Sequence, residues 1–173
     1  MLNSVNKRAK VEIYNKTTKT WTTSSTILTF ARDYPATAVA TDASGHDCIY
    51  IFGGIDHLIG YNIDGSANIV EKYDISENTI TTSVAVMPES HSKSFIGVVD
   101  NMIYIMGGWR ETIPFIYPNV QDTAAIVIQG EKDSWDTVAD MDSSLNLFSA
   151  VTDASKNFIY TIGGIDSNNN DVN

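Results

Sequence analysis

Short apolar runs alternate with polar turns along the whole chain, and three of these runs end in a pair of glycines. The segments 47–55 (DCIYIFGGI), 101–109 (NMIYIMGGW) and 157–165 (NFIYTIGGI) share the pattern Ile-Tyr-x-x-Gly-Gly. β-Branched and aromatic residues on both sides of the pleat are typical of a strand that is buried between neighbouring sheets. The pattern therefore predicts three equivalent buried strands, each followed by a close turn at its glycines.

The repetition extends beyond these strands. The glycine pairs begin at Gly53, Gly107 and Gly163, so the spacings are 107 − 53 = 54 and 163 − 107 = 56 residues. The segment 41–56 (TDASGHDCIYIFGGID) also matches 152–166 (TDASKNFIYTIGGID), with one residue's difference in length. A period of this order is typical of repeat architectures, in which each unit is one supersecondary structure.

Each glycine strand is preceded by one apolar segment and followed by two more. The preceding segments are 36–41 (ATAVAT), 94–99 (SFIGVV) and 147–152 (LFSAVT). The turns between them and the glycine strands carry Asp, Asn, Ser and Gly, as hairpin turns do. Beyond the glycines, large apolar residues stand seven positions apart around a polar turn: Tyr14 and Trp21, Tyr73 and Ile80, Ile128 and Trp135. Each unit is therefore predicted to contain four antiparallel strands and no helix.

These residues together resemble the kelch repeat, in which a glycine pair follows a strand and a Tyr and a Trp follow in units of about 50 residues. The resemblance covers nearly the whole chain, although Ile80 stands in place of one Trp and Ile128 in place of one Tyr. It implies an all-β fold, namely a kelch-type β-propeller segment of four-stranded antiparallel blades around a central channel. The first strand of each unit would be innermost, and the Tyr and Trp would pack against the adjacent blade.

The strand count predicts a single propeller segment with incomplete ends. We expect a half-blade at 1–25, a blade at about 36–85, a second blade at about 94–140 and a half-blade at about 147–173. Because propellers usually close with about four to eight blades, two explanations stay open. The chain is either a piece of a longer propeller or one half of a ring. In the second case the amino-terminal half-blade of one copy completes the carboxy-terminal half-blade of another, with two-fold symmetry.

Charge and composition exclude several classes of partner. The chain has 21 acidic and 11 basic residues, so its net charge of −10 disfavours nucleic acid and anionic membrane surfaces. No apolar window has the roughly 18 residues of a membrane span, and no signal peptide is predicted. The single cysteine, Cys48, lies in an apolar strand, where we expect a buried and inert thiol. One thiol fits the cytoplasm, which we favour, but an Asn-Lys-Thr sequon at 15–17 fits secretion, so the compartment stays open.

The longest predicted loops all fall on one face of the segment. They are 55–68 and 109–123 after glycine pairs, and 25–35 and 88–94 between blades. Loops concentrated on one side of a rigid scaffold typically carry function. The candidate partner-binding residues on this face are Trp109, Arg110, Phe115, Tyr117, Arg32, Tyr61, His57 and His91. Aromatic residues and arginine dominate interface hot spots, and the competing interpretation is that Trp109 and Phe115 fold inward as a loop core.

We interpret the chain as a protein–protein interaction scaffold, without a cofactor and without enzymatic activity. Arg32 and Arg110 would be basic spots on an acidic face, which makes an acidic peptide one candidate ligand. His57 and His91 could approach one another, but no carboxylate partner is predicted, and His46 is expected in an exposed turn on the other face. The first alternative is a structural component that completes a ring as a homodimer or larger assembly. The second is a glycan-binding or enzymatic propeller.

Overall fold

The computed structural model describes residues 9–55, 68–82, 86–109, 123–127, 135–153, 155, 157–166, 168 and 170–171. Over these residues the chain is all-β, as predicted, with twelve strands and no α-helix. Accordingly, no helix long and apolar enough to cross a membrane occurs in the described ranges. The strands are β1 (Lys10–Asn15), β2 (Thr20–Ile27), β3 (Ala36–Thr41), β4 (Asp47–Phe52), β5 (Val70–Asp74), β6 (Thr79–Thr82), β7 (Phe95–Val99), β8 (Met102–Met106), β9 (Thr123–Val127), β10 (Trp135–Thr137), β11 (Ser149–Thr152) and β12 (Ile159–Ile162).

Four antiparallel sheets follow one another along the chain. Sheet 1 contains β1 and β2, sheet 2 contains β3-β4-β5-β6, sheet 3 contains β7-β8-β9-β10, and sheet 4 contains β11 and β12. In each sheet the spatial order of the strands is their order in the chain, so every connection is between neighbouring antiparallel strands. The predicted succession of two, four, four and two strands is what the described residues form.

The hairpin turns follow from their Asp and Asn residues. In sheets 2 and 4 the carboxylates of Asp42 and Asp153 each accept backbone N–H groups of the turn that follows them. In sheet 3 the turn is only two residues long, and Asp100 and Asn101 have φ angles of 49° and 63°. Positive φ at both central residues is the type I′ geometry, which Asn and Asp tolerate better than other side chains.

The sheets stack face to face with their first strands side by side. One cluster joins sheet 2 to sheet 3 and consists of Ala36, Ala38, Ala40, Cys48, Tyr50, Phe52, Val70, Met87, Ile103 and Ile105, with Ile96, Val98 and Trp135 against it. A second cluster joins sheet 3 to sheet 4 and contains Met106, Leu145 and Phe148, with Phe95, Tyr104, Met141, Ala150 and Ile159 against it. The ring of Trp135 stands edge-on to that of Phe52, with centroids 6.0 Å apart. This contact confirms for Trp135 the prediction that the fourth-strand Trp packs on a neighbouring sheet.

Strand pairing in sheet 3 corrects one predicted equivalence. In sheets 1 and 2 the large residues that stand seven apart face each other across the third and fourth strands, as expected. In sheet 3, however, Trp135 pairs with Ile126, nine positions earlier. Ile126 therefore takes the place that the spacing assigned to Ile128, which lies outside the described residues. The physical reason is the longer connection between β9 and β10, which sets the paired residues nine positions apart where the other two units set them seven apart.

Candidate binding surface

Three backbone clamps tie loop segments together at one end of the stack. Each clamp is a pair of backbone hydrogen bonds between the segment that enters a sheet and the segment that follows its glycine pair. The clamps join Asp33 to Ile55 (2.8 and 2.7 Å), Ser92 to Trp109 (2.9 and 2.8 Å) and Asn146 to Ile165 (3.1 and 2.9 Å). All six glycines of the three pairs have positive φ, between 55° and 114°. Because glycine enters this region without steric cost, the doubled glycine lets the chain fold back onto the clamp.

The residue after each clamp lies at the same place in all three repeats. These residues are Tyr34, Lys93 and Leu147, with φ angles of 55°, 53° and 53°. A non-glycine residue in this region costs on the order of 1–3 kcal/mol, and such residues cluster at ligand contacts. Tyr34 and Leu147 are each 57% exposed. The left-handed backbone thus presents a row of three different side chains on the face that carries the clamps.

Lys93 is held between two aromatic rings on this face. Its Nζ lies 3.6 Å from the ring centroid of Trp109 and 4.9 Å from that of Tyr34. Such cation–π contacts contribute about 0.5–2 kcal/mol each, depending on exposure. An open depression of ≈ 430 Å³ is lined by Tyr34, Pro35, Lys93, Ser94, Phe95 and Leu147. We call Tyr34, Lys93, Trp109 and Leu147 the Lys93 cluster.

The Lys93 cluster contains one of the predicted partner-binding residues. Trp109 lies within it, partly buried and clamped through its backbone to Ser92. The side chain of Trp109 is therefore half-buried, neither fully exposed nor part of a buried loop core. The predicted residues Arg110, Phe115, Tyr117, Tyr61 and His57 lie outside the described residues.

Arg32 and His91 are buried, which corrects their prediction as exposed binding residues. Arg32 is 5% exposed, and its guanidinium pairs with the carboxylate of Glu71, whose side chain is fully buried. Arg32 also donates to the carbonyl oxygen of Gly53 at 2.8 Å. His91 is 4% exposed, and its Nδ1 lies 3.4 Å from the carbonyl oxygen of Gly107. Both side chains reach the first glycine of a pair, so they support the clamps from beneath.

Sequence reasoning misses Tyr34, Lys93 and Leu147 as surface residues. A signal for them is present, since aligning the repeats places them together in the segments DYPA, SKSF and NLFS. That alignment does not show that all three have positive φ, because none of them is a glycine, asparagine or aspartate. The left-handed backbone is imposed by the clamp, which is a contact between segments about 20 residues apart in the chain.

A second polar cluster lies at the opposite end of sheet 2, where the turns of its two hairpins meet. His46 Nδ1 lies 2.7 Å from Asp74 Oδ2, and Lys72 donates to Asp42 Oδ2 at 2.8 Å. Hydrogen bonding to Asp74 raises the pKa of His46. The pKa of Asp74 is lowered by the backbone N–H of Glu77 and by side-chain hydrogen bonds that include the one to His46. The bond from Lys72 lowers the pKa of Asp42.

This second cluster has the spacing of a metal site but not its charge. One ligand atom each of Asp42, His46 and Asp74 lies within 4.8 Å of the others. The Lys72 ammonium, however, already neutralises Asp42 where a cation would bind. The side chain of His46 is 40% exposed in its turn, as predicted, and it forms an ion pair when protonated. The arrangement joins two turns and compensates their charge.

Comparison with known proteins identifies the fold alone. No protein-family profile and no curated protein matches the sequence. Among solved structures, the structure of YjhT superposes with a TM-score of 0.71 at 11% sequence identity. The match covers 95% of this chain and 47% of that one, so this chain spans about half the length of YjhT. The likeness shows a shared arrangement of sheets and carries no statement about activity.

Proposed function

We propose that the chain is part of a kelch-type β-propeller and serves as a protein–protein interaction module. Support for the propeller comes from stacked four-stranded antiparallel sheets whose first strands lie side by side. The recurring glycine pairs and backbone clamps support the kelch relationship. Propellers host many unrelated activities, so the fold by itself does not define the function. The choice of protein binding rests on the Lys93 cluster.

The observation that carries this proposal is the placement of the Lys93 ammonium between Trp109 and Tyr34. Aromatic side chains supply large rigid contact area, and a positioned cation supplies charge recognition. The chain as a whole has a net charge of −10, so a cation held on this face is a local exception. An acidic peptide with apolar residues beside its carboxylates matches that chemistry. Lys93 replaces Arg32 as the basic spot on the face, because Arg32 is committed to Glu71.

The test is binding to defined peptides. An array of synthetic acidic peptides, each paired with its Asn/Gln counterpart, is probed with the purified chain, and calorimetry follows on the best binder. We expect Lys93→Gln and Trp109→Ala each to weaken binding about ten-fold or more, which corresponds to about 1.4 kcal/mol. Circular dichroism should remain unchanged, and the thermal midpoint should fall by only a few degrees, since both side chains are half-buried and each substitution removes cation–π contacts of about 0.5–2 kcal/mol.

Lys16→Gln is the matched control, because it removes the same charge from the exposed turn between β1 and β2. We expect its affinity to stay within about two-fold of the unmodified chain, a change of less than about 0.5 kcal/mol. Equal binding of acidic and amide peptides would contradict a charge-selective site. Undiminished binding by both Lys93→Gln and Trp109→Ala would place the site elsewhere, and binding of neutral glycans alone would favour a glycan-binding propeller.

A further inference from the structure

The sheet at the carboxy-terminal end of the stack, sheet 4, exposes apolar side chains. The equivalent side chains of sheet 2, inside the stack, are buried. Strand pairing makes Tyr160 of sheet 4 the counterpart of Tyr50 in sheet 2, and Ile162 the counterpart of Phe52. Tyr50 is 2% exposed and Tyr160 is 52% exposed. Phe52 is 1% exposed and Ile162 is 64% exposed. The open face of sheet 4 therefore has the composition of an internal sheet face.

The amino-terminal end shows the same contrast on its outer strands. Tyr14 pairs with Trp21 in sheet 1 as Tyr73 pairs with Ile80 in sheet 2. Tyr73 is 4% exposed, whereas Tyr14 is 49% and Trp21 is 67% exposed. Over the part of the chain that the structure describes, sheet 1 thus consists of strands equivalent to the third and fourth strands of sheet 2, and sheet 4 consists of strands equivalent to its first and second.

A cavity lies beside Met106, and two of its lining residues are equivalent to residues that surround Trp135 in the neighbouring repeat. Its volume is ≈ 370 Å³, and its lining is Met106, Met141, Asp142, Ser143, Leu145, Ile159 and Thr161. Met106 has the place in sheet 3 that Phe52 has in sheet 2, and Met141 the place of Met87. Trp135 packs against Phe52 in the cluster that contains Met87. The counterpart of Trp135 on sheet 1 is Trp21, which is exposed.

The two ends also carry opposite charge. Residues 1–27 contain five basic residues (Lys7, Arg8, Lys10, Lys16 and Lys19) and one acid, Glu12. Residues 138–173 contain five acids (Asp140, Asp142, Asp153, Asp166 and Asp171) and one base, Lys156. The ends therefore have net charges of +4 and −4 within a chain of −10. Opposite charge steers association and fixes its orientation.

We propose that a second copy of this chain completes sheet 4. In this assembly β1 and β2 of one copy add to the free edge of β12 of its partner, and Trp21 occupies the cavity beside Met106. The register of β4 with β5, carried over, pairs Thr161 with Glu12, because Ile51 pairs with Glu71. The reciprocal contact at the other ends closes a ring with two-fold symmetry. This inference goes beyond the proposed peptide binding and does not depend on the Lys93 cluster.

Solution mass is the first test. The chain has a mass of 19.0 kDa, and light scattering of the purified protein should give twice that value. Trp21→Ala should return the protein to a monomer at concentrations where the unmodified chain is a dimer. The circular dichroism and thermal melt of the Trp21→Ala monomer should match those of the unmodified chain as a monomer, since Trp21 is 67% exposed in the single chain. Trp109→Ala is the matched control, and it should remain a dimer.

Cross-linking tests the register. Glu12→Cys and Thr161→Cys chains, mixed and oxidised, should give a covalent dimer, since facing residues of adjacent strands are within disulfide reach. Ile13→Cys in place of Glu12→Cys should give none, because its side chain points to the other face of β1. The native Cys48 is 0% exposed and should not compete.

Three outcomes would overturn the proposal. The first is a mass that stays at 19.0 kDa over the accessible concentration range, which would leave the ends to a further segment of a longer chain or to solvent. The second is a dimer that is insensitive to Trp21→Ala and forms no 12–161 cross-link. The third is a mass that grows beyond the dimer, which means open head-to-tail chains. Loss of peptide binding by Trp109→Ala with an intact dimer would separate the two proposals from each other.

Discussion

The backbone of Gly107 has a φ of +57°, and a Cβ placed there would lie 2.6 Å from a ring carbon of Phe148 and 2.7 Å from the carbonyl oxygen of Leu145. Either condition alone disfavours a side chain, since a β-branched residue resists positive φ and the neighbours are packed. We expect Gly107→Val to abolish folding or to lower the free energy of unfolding by more than about 3 kcal/mol. Urea unfolding followed by circular dichroism measures this loss.

Gly45→Val separates the two contributions. Gly45 also has positive φ, 83°, but nothing lies within 4 Å of a Cβ added there. The decrease in the free energy of unfolding of Gly45→Val should therefore reflect backbone strain alone, on the order of 1–2 kcal/mol. Equal losses for Gly45→Val and Gly107→Val would contradict a role for the close approach of Phe148.

The thiol of Cys48 is expected to be unreactive in the folded protein. Its side chain is 0% exposed, as predicted from its place in an apolar strand, and burial raises its pKa to about 11. At pH 8 the thiolate is the reactive species, so we expect modification by a disulfide reagent to be at least about 100-fold slower than in urea. Absorbance of the released thiol anion gives both rates. Rapid labelling without denaturant would contradict the buried position.

Residue identity predicts the glycines well and the charged residues poorly. Gly107 needs its small size because of its own backbone, which the repeated Gly-Gly signals directly. The role of Arg32 depends instead on Glu71, 39 positions away, which faces it from β5. Nothing local in the sequence distinguishes Arg32 from a surface arginine. The position of Lys93 between two rings could not be predicted from the sequence for the same reason, because its aromatic partners come from two different loops.

At the scale of elements, the two hairpins of sheet 2 are joined through ionisable side chains. The pKa of His46 is raised above its ordinary value of 6.5. The contribution of His46 to the stability of the folded protein is therefore complete below pH 6.5 and is lost as pH rises through the folded pKa. The pKa of Asp74 is lowered below 3.8, so its contribution is present above that pH and is lost as pH falls further. The contact between the turns should therefore stabilise the protein most between about pH 4 and 6.5.

His46→Asn tests this contact. We expect the variant to lose stability relative to the unmodified chain below pH 6.5, with the difference narrowing as pH rises above it. Thermal unfolding midpoints measured from pH 4 to pH 9 give the difference curve, in which other titrating groups cancel. A pH-independent difference would mean that the ion pair with Asp74 does not contribute.

Strands and short turns are the elements that the sequence specifies most fully. The runs IYIF, IYIM and IYTI form β4, β8 and β12, and the two-residue turn at Asp100 and Asn101 has its expected geometry. Register within sheet 3 could not be derived in the same way. There the position opposite Trp135 is set by the length of the β9–β10 connection, and spacing alone assigned it two residues too late.

At the scale of the whole molecule, Phe52 links two sheets. It is 1% exposed, stacks with Tyr50 and meets Trp135 of sheet 3. In stacked repeats each unit is stabilised mainly by its neighbours. We expect Phe52→Ala to lower the free energy of unfolding by about 3–5 kcal/mol and to weaken both four-stranded sheets together. Tryptophan fluorescence and far-ultraviolet circular dichroism should give coincident urea transitions.

Ile75→Ala is the control for this substitution, because Ile75 is 47% exposed in a turn of sheet 2. Its effect should stay within about 0.5 kcal/mol, as for most surface substitutions. Two separated transitions in the Phe52→Ala protein would mean that the sheets unfold independently. That result would contradict a shared core across sheets 2 and 3.

Each of the three clamps is closed by a pair of main-chain hydrogen bonds, so its geometry does not depend on the side chain that follows it. The positions that follow the clamps carry a phenol, an ammonium and an aliphatic group in Tyr34, Lys93 and Leu147. One backbone geometry thus accepts three unrelated chemistries without any change in the glycines or the sheets. Under the proposed peptide binding, exchanging these three side chains would change the ligand that is bound and leave the fold unaltered.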